Sequence, residues 1–408
     1  MWFLGGELKL PRLKWISALG ACAALSLAAQ VIPPSPSKSG QSVGEGSDQS
    51  PKLVPRSHMD RERTYQIQHR IILNVQVTDA SGKPAAGWKT QDFTLLEDQR
   101  PRTNLSFKAV EGATATAPAH VILVLDAVNN SARDIANDRK EIQRFLKQNQ
   151  ELLSYPTSIA VVSDSGLTVG KPSRNRDALL NELKDLTGNL EAIGCADEMN
   201  PNETFQALMI PGTVTTAESA RQLNCLNQRF IESLAALSKL AEHQVNVPGR
   251  VILIWIGPGW PHLYNQQFRH DDAALRRNLF AQLVHISTAL REGQVTLNMI
   301  CPSDFLRKTE VLNEHDKALL DGLQKEDEVT AGSLSLQAFA HQSGGRILIE
   351  KKNIPDGIAA CIADAASYYV LSFDSDAAVA ASEYHSLEVK VDKPGMTVRT
   401  NTMYYAAP

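Results

Sequence analysis

Val121-Ile122-Leu123-Val124-Leu125-Asp126 is an unbroken apolar run closed by an acid. A strand wetted on one side alternates apolar with polar residues. A strand that is apolar at every position is buried on both faces, as in a parallel sheet covered by helices. The same grammar returns at Ile159 to Val162, at Arg250 to Ile256 (RVILIWI), at Gln294 to Ile300 and at Arg346 to Ile349. Leu167 to Val169 is expected to pair with the second of these as a hairpin across Asp164-Ser165-Gly166. Between them lie segments of helical period: Ser131 to Leu153, Arg176 to Leu186, Thr216 to His243, Asp271 to Arg291, Ser333 to Ser343 and Ile354 to Ala366. Strands alternating with helices predict βαβ units and a doubly wound α/β domain with a mostly parallel, Rossmann-like sheet. It is expected over residues 118–375, with Tyr368 to Phe373 as its closing strand.

On either side the period changes from 3.6 to 2. Ile71 to Thr78, Phe93 to Asp98 and Leu105 to Val110 read as strands, with Asp79-Ala80-Ser81-Gly82-Lys83-Pro84 as turn chemistry. Ser386 to Val391 alternates cleanly, and a turn at Asp392-Lys393-Pro394-Gly395 precedes another strand. Each β piece is too small to be stable alone. Residues 67–112 and 383–406 are therefore expected to close into one antiparallel β domain, with the α/β domain inserted in it.

Upstream, Lys9, Arg12 and Lys14 precede an uncharged run from Trp15 to Ala29 that ends in small residues. The run is shorter than the ~20 residues of a membrane-spanning helix, so residues 1–29 are expected to be a cleaved secretory signal. The chain would then be exported, to the periplasm or beyond, with no membrane span after cleavage. Residues 30–66, rich in Pro, Ser and Gly, hold too little apolar surface to offset ordering entropy and are expected to be a flexible tether.

The whole chain has 408 residues, 41 Lys+Arg against 45 Asp+Glu and 43% hydrophobic residues, enough for a sizeable core. A net charge of −4 gives no electrostatic reason to expect nucleic acid or an anionic membrane as a partner.

Asn74-Val75-Gln76-Val77-Thr78-Asp79, Asp92 to Asp98 and Val121 to Asp126 form an ordered set of phrases. Tyr368-Tyr369-Val370-Leu371, His385 to Val391 and Pro394-Gly395 complete it. In this order and spacing they resemble the acidobacterial VWFA-related proteins, over roughly residues 70–405. The resemblance implies a von Willebrand factor A-type domain. It also implies a metal-ion-dependent adhesion site at the C-terminal ends of the strands, where open α/β sheets bind ligands. Such a site needs hard oxygen ligands around Mg²⁺: Asp-x-Ser-x-Ser, a Thr, and a second Asp.

This chain keeps Asp126 but continues Ala127-Val128-Asn129-Asn130-Ser131, and Gly257 stands where the second Asp is expected. The metal set would reduce to Asp126, Asn129 and Ser131, a degenerate site. Asp126 as cap of the following helix is the preferred reading, with no cofactor required. The loop Gly257-Pro258-Gly259-Trp260-Pro261-His262 offers Trp260 and His262 as partner contacts. The alternative is that Trp260 packs over the sheet edge. Asp271 or Asp272 is expected to cap the helix that follows.

Cys22 leaves with the signal. Cys195 and Cys225 flank a polar excursion, the insertion 188–217, and an oxidising compartment permits a bridge between them. Cys301 and Cys361 are expected to be buried free thiols. The excursion either covers the strand-end face, supplies specificity there, or is decorative. No G-x-S-x-G, H-E-x-x-H, Walker A or G-x-G-x-x-G motif occurs, and no constellation of acid, base and nucleophile can be nominated. The expectation is a non-enzymatic binding module for a protein or surface polymer. A structural or assembly component of the envelope is the alternative, and a hydrolase with an unrecognised site the third reading.

Overall fold

In the computed structural model the described residues are 69–103, 105–111, 118–148, 152–188, 190, 217–260, 273–302, 320–329, 333–349, 353–376, 378, 380 and 382–406. The segments expected to be signal and tether, most of the insertion, Cys195, His262 and Asp271-Asp272 lie outside them.

Eight strands surround one apolar core. They are β1 (Arg70–Thr78), β2 (Phe93–Glu97), β3 (Arg100–Pro101), β4 (Ser106–Glu111), β11 (Ser367–Asp374), β12 (Glu383–Val391), β13 (Thr397–Arg399) and β14 (Met403–Ala406). They form two four-stranded sheets, ordered β13-β1-β11-β4 and β14-β12-β2-β3. Their facing sides meet in a cluster of Ile71, Leu73, Val75, Phe93, Leu95, Leu371, Phe373, Leu387, Val389 and Tyr404, so the two sheets make a sandwich.

The other body is α/β. Its sheet has six strands in the order β10 (Ile347–Ile349), β9 (Val295–Cys301), β8 (Arg250–Ile256), β5 (Ala119–Asp126), β6 (Thr157–Ser163) and β7 (Gly166–Val169). All neighbours are parallel except β7, which returns from β6 as an antiparallel hairpin. Along β5, Ile122 and Val124 face one layer while Val121, Leu123 and Leu125 face the other. Each layer is closed by helices, and this is why no position from Val121 to Leu125 is polar. The first layer holds α3 (Ala217–Gln244), α4 (Ala273–Glu292) and α5 (Leu336–Gln342). The second holds α1 (Ala132–Lys147), α2 (Arg176–Thr187) and α6 (Ile354–Ala363).

One boundary differs from the sequence reading. Tyr368 to Phe373 does not close the parallel sheet; β11 lies antiparallel between β1 and β4, inside the sandwich. The chain leaves the α/β body after α6, so that body ends about ten residues earlier than residue 375. Apolar alternation announces a strand but carries no label for the sheet it joins.

The two bodies are joined at the strand-start end of the parallel sheet. Arg250, at the foot of β8 and 1% exposed, donates to the Asp364 carbonyl (2.7 Å) and Thr296 Oγ1 (3.2 Å). Its guanidinium also lies 4.5 Å from the Tyr368 ring centre. Asp364 is fully buried and accepts a fork from Arg346 (2.9 and 2.8 Å) and a third bond from Arg399 of β13 (2.8 Å). Gly344, with φ +75°, brings its backbone against Thr400, where a Cβ would stand 2.6 Å from Thr400 Cα. Beside this junction, β14 offers Tyr405 to Phe280 of α4, with ring centres 5.9 Å apart.

Candidate functional site

The order of the sheet fixes where a site belongs. From β5 the chain adds β6 on one side, then crosses by α3 to place β8 on the other. Adjacent strands whose connections leave in opposite directions open a crevice at their C-terminal ends, the usual ligand position in such sheets. Asp126 ends β5 and Gly257 follows β8, so both stand at that crevice.

Asp126 is fully buried, and each of its oxygens takes two N–H groups. Oδ1 accepts from the backbone of Val128 (3.0 Å) and Asn129 (2.9 Å), while Oδ2 accepts from Asn129 Nδ2 (2.8 Å) and Trp255 Nε1 (2.9 Å). Burial pushes this carboxyl upward in pKa; the donors from Asn129 and Trp255 and the charge of Arg229 pull it back. With four N–H donors around it and no acceptor, the arrangement suits the ionised carboxylate.

Asp126 does not cap α1. That role belongs to Ser131, whose Oγ accepts from Asp134 N (3.2 Å) and donates to Asp134 Oδ2 (2.8 Å). Asp126 instead folds the Ala127-Val128-Asn129-Asn130 loop back on itself. Asn130 Nδ2 completes the turn by donating to the Asp126 carbonyl (3.0 Å) and to Asp138 Oδ2 (3.0 Å). Asp138 lies on the inner face of α1, and its carboxyl is pushed up to about 7, first by burial and then by Asp134.

Asn129 Nδ2 also donates to Ser233 Oγ (2.8 Å), which couples the loop to α3. One turn earlier on α3 stands Arg229, 6% exposed. Its carbonyl accepts from Ser233 Oγ (2.8 Å), and its Nε is buried without a partner. Burial lowers its pKa and the Asp126 charge opposes that. Sequence reading passed over both residues. The available signal was two polar side chains at i and i+4 on the face that also carries Leu226, Phe230, Leu234 and Leu237.

Trp260 is 5% exposed, not a surface contact. Its ring packs against Trp255 (5.6 Å between centres), Phe339 (6.2 Å) and Phe230 (6.4 Å), the packed alternative for this loop. Its Nε1 is nevertheless buried without an acceptor, and Asn129 Oδ1 and Gln337 Oε1 are buried without a donor. Gln337 borders Gly259 of the same loop. Ser131, Asn129 and Asp126 are thus brought to one loop, but only Asp126 and Asn129 share a site. Cys301 and Cys361 are buried thiols outside any disulfide, and burial pushes the Cys361 thiol up to about 12. Cys225 is buried on α3.

The geometry defines a doubly wound α/β protein with a closed polar cluster at its switch-point crevice. Similarity to solved structures is remote. The manganese-loaded TRAP protein of Plasmodium vivax shares 9% identity at a TM-score of 0.29, over 73% of this chain and 96% of that one. The human COPII-coat protein Sec24c shares 9% identity at a TM-score of 0.26, over 71% of this chain and 44% of that one. No family model and no curated protein matches the chain.

Proposed function

We propose that the chain is an exported, non-enzymatic binding module. Its A-type α/β domain contacts a protein or surface polymer through the strand-end face and does so without a metal. The sandwich serves as pedestal, and residues 30–66 as tether.

The observation that carries this reading is the contrast between the two ends of the parallel sheet. The strand-start end is occupied by Arg250, Asp364, Arg346 and Arg399, which tie it to the sandwich. At the opposite end β8 and β9 finish, at Ile256 and Cys301, and α3 and α4 begin, at Ala217 and Ala273. Loops gathered at one end of a rigid scaffold are where binding surfaces are built.

What supports a metal-free face is the chemistry around Asp126. Magnesium requires oxygen ligands, and both carboxylate oxygens are taken by N–H groups. A Cβ at Gly257 would stand 2.7 Å from Asp126 Cβ, so no second carboxylate fits there. Ser131 Oγ is committed to Asp134. The residues present do not fit the ion.

The test is affinity capture from envelope extracts, with the intact chain and a variant lacking residues 191–216, each with and without EDTA. Capture of a specific partner that survives EDTA and disappears on the deletion is the expected result. Capture that survives the deletion but is lost when exposed sandwich residues such as Lys108 and Lys390 are reversed in charge would favour the structural or assembly reading instead.

A further inference from the structure

We propose that the cleft between the sandwich and the α/β body, beside their junction, binds a small apolar monocarboxylate whose charged end is taken by Arg291. The site lies at the strand-start end of the parallel sheet, away from the switch-point crevice, and does not depend on the binding-module reading.

The cleft follows from the two faces of β1. Ile71, Leu73, Val75 and Val77 enter the sandwich core. Arg70, Ile72, Asn74 and Gln76 therefore face outward, toward the α/β body. At Gln76 the bodies touch: with its amide oxygen turned to the guanidinium, Gln76 accepts from Arg250 Nη1 (2.7 Å). At Arg70 and Ile72 they part and leave a cleft of about 330 Å³, a size found among small-ligand pockets. Its far wall is residues 245–249, which lead into β8, and residues 291–294, which lead from α4 into β9. That wall is held by its own turns. Val247 N donates to the Gln244 carbonyl (2.9 Å), Gly293 N to that of Ala289 (2.9 Å) and Gln294 N to that of Arg291 (3.0 Å). A preformed wall lowers the ordering cost of binding.

Arg291 lines this cleft and is only 6% exposed. Its Nη2 donates to Glu292 Oε1 (3.1 Å), its Nε is buried without an acceptor, and its Nη1 has no hydrogen bond among the described residues. Nη1 is not closed off from solvent as Nε is, so the guanidinium meets the cleft by that edge. A guanidinium so deeply placed is ordinarily well paired, because it otherwise loses hydration without compensation. Burial lowers the Arg291 pKa and the Glu292 charge opposes that. Arg70 adds a second cation to the lining, though Asp374 (3.3 Å), Ser106 (3.2 Å) and Ser372 (3.2 Å) already engage it. Two cations against Glu292 favour an anion, and Ile72, Val247 and Pro248 favour an apolar remainder. A carboxylate matches a guanidinium edge. A peptide would also need partners for its amides, and the wall N–H groups of Val247, Gly293 and Gln294 are committed to their turns. Glu292 competes with the ligand for Arg291, which sets the sign of one test.

Isothermal titration calorimetry of the purified protein is the test, with sodium octanoate, octanamide, sodium acetate and N-acetyl-Ala-Leu as probes. Octanoate should bind saturably at one site. Octanamide should bind at least about tenfold more weakly, having lost the charge-assisted pair. Acetate should also bind at least about tenfold more weakly, because it has no apolar body to bury. Arg291→Gln should abolish octanoate binding, and so should Ile72→Trp, which fills the cleft. Glu292→Gln, which frees Arg291, should tighten octanoate binding by about threefold or more. Near-ultraviolet circular dichroism identifies the variants that fold; Glu292→Gln removes no buried cation and decides if the other two do not. The assignment is overturned by no octanoate binding, or by octanamide or acetate binding as tightly as octanoate. It is equally overturned by unchanged binding in folded Arg291→Gln or Ile72→Trp, or by Glu292→Gln binding no tighter than the wild type. Tighter binding of N-acetyl-Ala-Leu than of octanoate would overturn a free acid as the ligand in favour of a chain end.

Discussion

Asp138 shows how much one buried carboxyl can say. It sits three residues after Ile135 and four before Ile142, on the face that packs against the sheet. An acid in that ladder is visible in the sequence as an interruption; that Asn130 reaches it is not. Its folded pKa of about 7 lies above the ordinary 3.8, so the folded state binds more protons between those values. Its stabilising contribution is present in full below pH 4 and lost as pH rises through 7, amounting to at most about 4 kcal/mol. Urea unfolding at pH 5.5 and pH 8 should show the wild type losing more stability at the higher pH than Asp138→Asn. Equal losses would show that this carboxyl does not titrate as described. Gly257 is a second residue-scale case. A methyl there meets Asp126, so Gly257→Ala should destabilise by about 1–3 kcal/mol in the same assay. Trp260 marks the limit of sequence reading: whether it faces solvent or core depends on Phe230 and Phe339, which are distant in the chain.

At the scale of elements, β5 and β8 were legible because burial on both faces leaves an unmistakable run of apolar residues. β11 was not, because Tyr368 to Phe373 has the same composition whether it pairs with β10 or with β1. Its neighbours are set by register across some 300 residues, information no local window contains. Helix α3 is legible as a helix, yet the role of its Arg229–Ser233 pair appears only when the Asp126 loop is laid beside it. The proposed Cys195–Cys225 bridge belongs to this scale too. Closing a loop of about 30 residues would contribute about 3–4 kcal/mol in the chain-entropy model. Non-reducing peptide mapping should find those two cysteines linked, while Cys301 and Cys361 react with iodoacetamide only after denaturation. Alkylation of native Cys225 would refute the pairing.

For the molecule as a whole, the junction at Asp364 governs whether sandwich and α/β body unfold together. Removing a buried carboxylate that holds Arg346 and Arg399 leaves two guanidinium groups short of a partner, a loss of about 3–5 kcal/mol. Calorimetry of the wild type should show one transition, and Asp364→Ala should lower it and separate it into two. A single, unshifted transition would mean that the bodies are joined by apolar contact alone, through Tyr405 and Phe280. No helix among the described residues is long and apolar enough to cross a membrane. By itself the sequence determined the layered α/β body and its two-period grammar, since hydrophobic periodicity is written locally, residue by residue. It also placed Asp126 at the head of the first parallel strand. Only tertiary structure decided which donors surround that carboxylate, that Ser131 and not Asp126 caps the helix, that Trp260 is buried, and that Arg229 Nε is left without an acceptor. Those outcomes depend on which distant atoms are brought within about 3 Å of one another, and hydrogen bonding and desolvation act only at that range.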